Sequence, residues 1–206
     1  MGPIKATRTT LGLAIALALA LASLAFLVSQ NRGLRQDRAE LERRATQPYV
    51  EMWLPEIWTK TLDGVPIRLG TPPDRYQVLY FFAPDCADCR RSAASARELA
   101  QRLNRDPRVQ MVGVADGARD AVRRDVARQE FRFPVAVLSD RRARGLFKAN
   151  ALPLLLVADA DGLVRFWHVG AIENRTVLDD ALAAMGLAEG TGEPIVIDRA
   201  PAADTK

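Results

Sequence analysis

Cys86 and Cys89 are the only cysteines among the 206 residues, and they stand where a strand pattern gives way to a helical one. Tyr80-Phe81-Phe82 ends an apolar run, Ala83-Pro84-Asp85 follows, and an Ala-rich stretch begins directly after the second cysteine. A Cys-x-x-Cys pair on a strand-to-helix turn points to dithiol chemistry rather than to structural stapling. The spacing lets two sulfurs approach within bonding distance on the first helical turn. Unpaired backbone N–H groups and the helix dipole there favour a thiolate. The rest of the chain then serves to place, hold or feed that pair.

Composition supports this reading by exclusion. Apolar residues make up 49% of the chain, enough to build a core without disulfide staples. The 29 basic and 25 acidic side chains leave a formal charge of +4, scattered along the sequence. Nucleic-acid binders concentrate basic and aromatic residues on one face, and this sequence shows no such concentration. Nucleic acid is therefore not an expected partner.

Leu11 to Val28 carries no charge and consists mostly of Leu and Ala, after Lys5 and Arg8. Eighteen residues at about 1.5 Å each nearly cross a hydrocarbon core of about 30 Å. A cleaved signal peptide would have a shorter apolar stretch, although small residues do occur at Ala20, Ala22, Ser23 and Ala25. An uncleaved anchor fits the length better. The expected organisation is a cytoplasmic tail over 1–10, an anchor (or signal peptide) over 11–28 and a juxtamembrane stalk over 29–50. A folded domain over 51–187 and a flexible, Gly- and Pro-containing tail over 188–206 complete it. Arg32, Arg35, Arg38, Arg43 and Arg44 follow the apolar stretch, and counted literally they would keep the domain in the cytoplasm.

Within the domain, Ile57-Trp58-Thr59 and Val65–Leu69 flank Asp63-Gly64 as a hairpin, with Pro66 marking an edge strand. Trp53 and Trp58 read as packing residues. Gln77–Phe82 suits a central strand covered on both faces. The helix after the cysteines carries Ala93, Ala96, Leu99, Ala100 and Leu103 on one stripe. A strand over Val109–Ala115, a helix over Ala118–Glu130 and a strand over Pro134–Leu138 follow. Arg141–Ala149 reads as a short helix burying Leu146 and Phe147. Leu154–Ala158 and Leu163–Val169 form a second hairpin, and Asn174 caps a last helix stopped by Gly186. This order predicts an α/β fold: a mostly parallel sheet with an antiparallel edge and helices on both faces.

The cysteine motif after a buried strand, followed by Ala151-Leu152-Pro153 opening a hairpin with Asp161-Gly162 at its turn, resembles the thioredoxin fold. The inserted strand–helix–strand segment and the N-terminal transmembrane helix narrow the resemblance to TlpA/ResA-like membrane-anchored thiol–disulfide oxidoreductases. That resemblance implies a central mixed sheet, a cis bond before Pro153 and a Leu152 backbone exposed for pairing with a substrate strand. It implies a domain outside the cytoplasmic membrane of a bacterium, against the arginine count. It further implies a DsbD/CcdA-type membrane electron donor and a periplasmic disulfide protein such as apocytochrome c as substrate. No cofactor is implied beyond a redox-active Cys86–Cys89 disulfide.

Three positions depart from the family pattern. Asp85 replaces the usual Trp before the first cysteine, and Tyr80 and Ser92 stand where acids are found in relatives. Cys86, at the helix N-terminus, is the expected attacking thiolate and Cys89 the resolving one. Asp85 and Asp88 oppose a thiolate, whereas Arg90 and Arg91 favour it. The balance predicts a reductant, because a thiolate that is not strongly stabilised disfavours the reduced form. A SCO-like copper chaperone is the rival reading. It would use Cys-x-x-x-Cys and a distant His, whereas the spacing here is one residue short and the sole histidine, His168, reads as structural. A zinc site lacks its four ligands. A peroxiredoxin would want Pro and Thr where Leu79 and Ala83 stand.

Overall fold

The computed structural model describes residues 45–187 and most of 11–32. The expected tail over 1–10, residues 33–44 of the expected stalk over 29–50, and the tail over 188–206 lie outside the described residues. The chain divides into two units, Met1–Thr46 and Gln47–Lys206. In the first, α1 (Ile15–Arg32) is the one described helix long and apolar enough to cross a membrane, and its leucines are exposed.

In the second unit, β1 (Ile57–Lys60) and β2 (Pro66–Leu69) pair antiparallel as a separate two-stranded sheet. The five-stranded sheet comprises β3 (Tyr76–Phe82), β4 (Val109–Ala115), β5 (Val135–Val137), β6 (Leu154–Asp159) and β7 (Val164–Val169), in the order β5-β4-β3-β6-β7. Three helices, α2 (Ala87–Leu103), α3 (Arg119–Arg128) and α4 (Arg141–Leu146), lie between these strands in the chain, and α5 (Arg175–Ala184) follows β7. This is a thioredoxin-like fold with an N-terminal hairpin and an inserted strand–helix–strand segment.

One expectation about the sheet needs correction. The antiparallel part is no mere edge, because β3 itself pairs parallel with β4 and antiparallel with β6. The short Asp159–Gly162 turn extends the antiparallel part by one more strand. It sends β7 straight back along β6, and antiparallel neighbours need no crossover helix.

Strand β3 sits at the centre and is buried on both sides, as its unbroken apolar run requires. Val78, Tyr80 and Phe82 face a core shared with α2, α3 and α5. Leu79 and Phe81 face the opposite core, closed by Met52, Leu54, Ile67, Leu69 and Phe147. Phe147 is buried as expected, but Leu146 is 58% exposed, because α4 ends there and its C-cap turns Phe147 alone inward. Trp53 and Trp58 are also not packing residues, at 67% and 65% exposed. Trp58 lies on the outer face of the hairpin, where its indole N–H donates to Glu56 Oε1 at 2.8 Å and Arg68 stacks 5.7 Å from the ring.

Gln77, fully buried at the start of β3, ties the hairpin to the main sheet. Its Oε1 accepts the Gly70 N–H at 2.8 Å, and its Nε2 donates to Arg68 O at 2.8 Å and to Gln110 Oε1 at 2.7 Å. Gly70 is held at φ +94°, and a Cβ there would stand 2.0 Å from Pro55 O, so only glycine fits. Replacing Gln77 by Leu leaves the buried Gly70 N–H unpaired and takes this partner from the half-buried Arg68 O and Gln110 Oε1. We expect Gln77→Leu to lose about 2–4 kcal/mol in urea unfolding. An unchanged midpoint would show that the amide is not the tie.

Candidate active site

Strand β3 ends at Phe82, and Ala83–Asp85 carries the chain to the N-terminus of α2. Cys86 is the N-cap of that helix. Its backbone is extended (φ −83°, ψ 115°), and its Sγ accepts the Cys89 N–H at 3.0 Å. An oxygen of Ser, Thr, Asp or Asn commonly takes this position and satisfies a free N–H of the first turn. Here sulfur does so.

Cys86 and Cys89 are joined as a disulfide, with Cα atoms 5.2 Å apart. Their surroundings differ. Cys86 is half-buried, whereas Cys89 is 5% exposed and packs into the core shared by α2, α3 and α5. The Leu152–Pro153 bond is cis, Pro153 is buried, and the Leu152 carbonyl oxygen lies 3.7 Å from Cys86 Sγ. Pro153 O accepts the Gly170 N–H at 2.9 Å, which fixes this turn to the end of β7. The structure thus brings together Cys86, Cys89, Leu152 and Pro153, from two segments 66 residues apart.

The charged residues of the segment are paired with one another and with the backbone. Arg91 bridges Asp88 at 2.8 Å and Glu173 at 2.7 Å. Arg90 Nη1 donates to Pro84 O at 3.4 Å, and Asp85 is exposed. Both arginines are therefore engaged with other partners rather than with the Cys86 sulfur. Glu173, which comes from the loop after β7, adds a third carboxylate that only the tertiary fold reveals.

Beneath the cysteines lie two buried hydroxyls. Tyr80 Oη stands 3.4 Å from Cys89 O, and the Ser92 hydroxyl is near enough to act on its ionisation. Ser92 Oγ donates to Asp88 O at 2.8 Å and accepts the Ile172 N–H at 2.8 Å. Burial pushes the Tyr80 phenol well above its ordinary value, the neighbouring Ser92 hydroxyl acts the other way, and the charge of Asp125 adds to the rise. Tyr80 is thus neutral at physiological pH. The sequence shows that neither position holds an acid, but not that the two side chains meet. That depends on the packing of α2 against β3.

His168 is half-buried on β7, with Nε2 3.4 Å from Ala171 O. Among the described residues, no three His, Cys, Asp or Glu side chains gather as a metal-holding group. A cavity of about 560 Å³ opens elsewhere, lined in part by Arg97, Met111 and Phe133.

The AhpC/TSA family profile matches residues 50–167, more than half of the chain. The protein belongs to the AhpC/TSA family. Solved structures agree on the fold. A Chlorobium tepidum protein assigned as thiol:disulfide interchange protein DsbE is 21% identical, with a TM-score of 0.60 over 68% of this chain and 100% of that one. StoA from Bacillus subtilis is 15% identical, with a TM-score of 0.53 over 65% and 98% of the two chains. A secreted Mycobacterium tuberculosis disulfide oxidoreductase homologous to E. coli DsbE is 23% identical, with a TM-score of 0.50 over 62% and 95%. No curated protein sequence matches the chain. A closed Cys-x-x-Cys disulfide on this fold and in this family makes the chain a thiol–disulfide oxidoreductase by class.

The unequal burial of the two sulfurs has a direct readout. In the reduced protein, iodoacetamide should alkylate Cys86 at least about tenfold faster than Cys89, since reactivity follows exposure and thiolate character. Peptide mass spectrometry after timed quenching reads the ratio, and equal rates would contradict the placement of Cys89 in the core.

Proposed function

We propose that this protein is a membrane-tethered, TlpA/ResA-like thiol–disulfide oxidoreductase of the bacterial periplasm, acting as a reductant of protein disulfides through Cys86 and Cys89. The observation that carries the proposal is the placement of the half-buried Cys86 sulfur on a helix N-terminus, 3.7 Å from the carbonyl of a residue preceding a cis-proline. An incoming peptide disulfide is thereby offered a nucleophile and a strip of backbone at one place.

In the reaction, the Cys86 thiolate attacks one sulfur of the substrate disulfide. The substrate S–S bond breaks, its second sulfur leaves as a thiolate and takes a proton from water, and Cys86 is left in a mixed disulfide. Cys89, having lost its proton, then attacks Cys86 Sγ. The Cys86–Cys89 bond closes, the first substrate sulfur is released, and two electrons have passed to the substrate. Leu152 lies against Cys86 and orients the substrate strand, with Pro153 fixing that turn.

The local charges support the reducing direction. Three carboxylates (Asp85, Asp88, Glu173) surround the turn, and the two arginines beside them are engaged with Asp88, Glu173 and Pro84 O. The Cys89 N–H stabilises a Cys86 thiolate, while the surplus of negative charge limits that gain, which makes the dithiol willing to give up electrons. Helix α1 supports tethering by its length and apolar character. The extracytoplasmic side, a DsbD/CcdA-type donor and a disulfide substrate such as apocytochrome c complete the proposal on the family resemblance. Peroxidase chemistry is not proposed, because Leu79 and Ala83 replace the Pro and Thr that a peroxidatic cysteine would want.

Two measurements on the full chain test this reading together. Wild type should reduce insulin disulfides in the presence of dithiothreitol, and Cys86→Ser should not. Glutathione titration should give a potential far below the about −120 mV of a strong oxidant such as DsbA. Activity that survives Cys86→Ser, or a potential near that value, would overturn the role or the direction respectively.

A further inference from the structure

The pair of buried hydroxyls under the active-site turn has no part in the sulfur exchange itself. Tyr80 and Ser92 are both fully buried, in a core where an unpaired hydroxyl would be costly. They find partners in the backbone of the Cys-x-x-Cys turn. Ser92 Oγ holds Asp88 O at 2.8 Å, and Tyr80 Oη lies 3.4 Å from Cys89 O. These two carbonyls belong to the peptide units on either side of the Cys89 Cα. The N–H of Cys89, in the same peptide unit as Asp88 O, is the group that reaches Cys86 Sγ at 3.0 Å.

The orientation of that peptide unit therefore has two anchors, its N–H on sulfur and its C=O on Ser92. Ser92 is itself anchored from outside the helix, since its Oγ accepts the Ile172 N–H, and Ser95 Oγ donates to Ile172 O at 2.6 Å. Tyr80 is anchored by its ring, stacked on Phe82 at 5.6 Å and edge-on to Phe131 at 6.1 Å. Each hydroxyl thus sits on a rigid base and bears on the turn.

We propose that Tyr80 and Ser92 are positioning residues that hold the Cys89 N–H on the Cys86 sulfur and so set how readily that sulfur ionises. In the reduced protein, a well-aimed N–H favours the thiolate over the thiol. Loosening the turn weakens that bond, raises the Cys86 pKa and makes the dithiol state less stable. The reduction potential then falls. The surrounding charges stay in place: Asp85, Asp88, Arg90 and Arg91 on the turn, Glu173 from the β7–α5 loop, Asp116 with Arg144 beyond the end of β4, and Asp125 on α3. The inference rests on the Cys86–Cys89 couple being redox-active, not on the direction of electron flow or on any substrate.

The test uses the full chain in detergent, with Tyr80→Phe, Ser92→Ala and Ser92→Thr beside wild type. Cys86 ionisation is followed by ultraviolet thiolate absorbance and by the pH dependence of alkylation, the potential by glutathione titration and stability by thermal unfolding. Tyr80→Phe keeps the ring packing, and Ser92→Thr keeps a hydroxyl. We expect Tyr80→Phe and Ser92→Ala to have about threefold less thiolate at a pH below the Cys86 pKa. A threefold loss of the same size in the redox equilibrium corresponds to a potential lower by ~14 mV. Ser92→Thr should restore most of the wild-type value. If Tyr80→Phe and Ser92→Ala lower the melting temperature but leave ionisation and potential unchanged, the hydroxyls are structural only and the proposal fails. A lowered Cys86 pKa would also overturn it. If Ser92→Ala does not fold, Tyr80→Phe alone decides. If the wild-type pair shows no reversible potential, the proposed redox function fails first, and the experiment identifies that separately.

Discussion

The hydrogen bond from the Cys89 N–H to the Cys86 sulfur is the interaction on which the site depends. A helix begins with backbone donors that have no partner inside it, and something must accept them. Giving that task to a sulfur makes the helix start and the reactive atom one structural problem. The position of Cys86 is set by where α2 begins, and α2 begins where β3, buried on both faces, releases the chain. The thiolate's environment is therefore fixed by the core as much as by neighbouring side chains.

The same dependence explains why the supporting bonds converge on the loop after β7. Gly170 is tied to Pro153, and Ile172 is held by Ser92 and Ser95. The cis-proline turn and the active-site helix, distant in sequence, are thus fastened to one short segment. On the opposite side of the sheet, the buried Gln77 amide holds the N-terminal hairpin through two hydrogen bonds and Gln110 of β4 through a third. Arg119 and Arg123 reach the carbonyls of Thr61 and Leu62 from α3. Polar groups thus join the appended elements to the fold, while the apolar layers supply most of its burial.

Much of this was legible in the sequence because it is local. The Asp63-Gly64 turn, the apolar run of β3, the Asn174 cap and the Cys-x-x-Cys spacing each depend on a few adjacent residues. Strand β4 occupies the expected Val109–Ala115 span for the same reason. The cis bond before Pro153 and its approach to Cys86 followed from family resemblance, since nothing in the local sequence requires them. What was not legible depends on encounters between segments. Trp53 and Trp58 have the composition of core residues but lie on an outer face, and Leu146 falls just beyond the buried turn of α4. The engagement of Arg91 with Glu173 across 82 residues could not be read from either neighbourhood. Nor could the convergence of Tyr80 and Ser92 on the carbonyls of the Cys-x-x-Cys turn. Individually they are a strand aromatic and a helical serine, and only the packing of α2 on β3 makes them neighbours.

The central claim is that Cys86 makes the covalent link to a substrate disulfide and Cys89 breaks it. The most direct measurement is capture of the mixed disulfide by Cys89→Ala and Cys86→Ser variants of the full chain, challenged with a disulfide-bonded protein and analysed by non-reducing mass spectrometry. The account predicts a stable adduct through Cys86 in Cys89→Ala and little or none in Cys86→Ser. An adduct formed mainly through Cys89, or equal trapping by both variants, would contradict it.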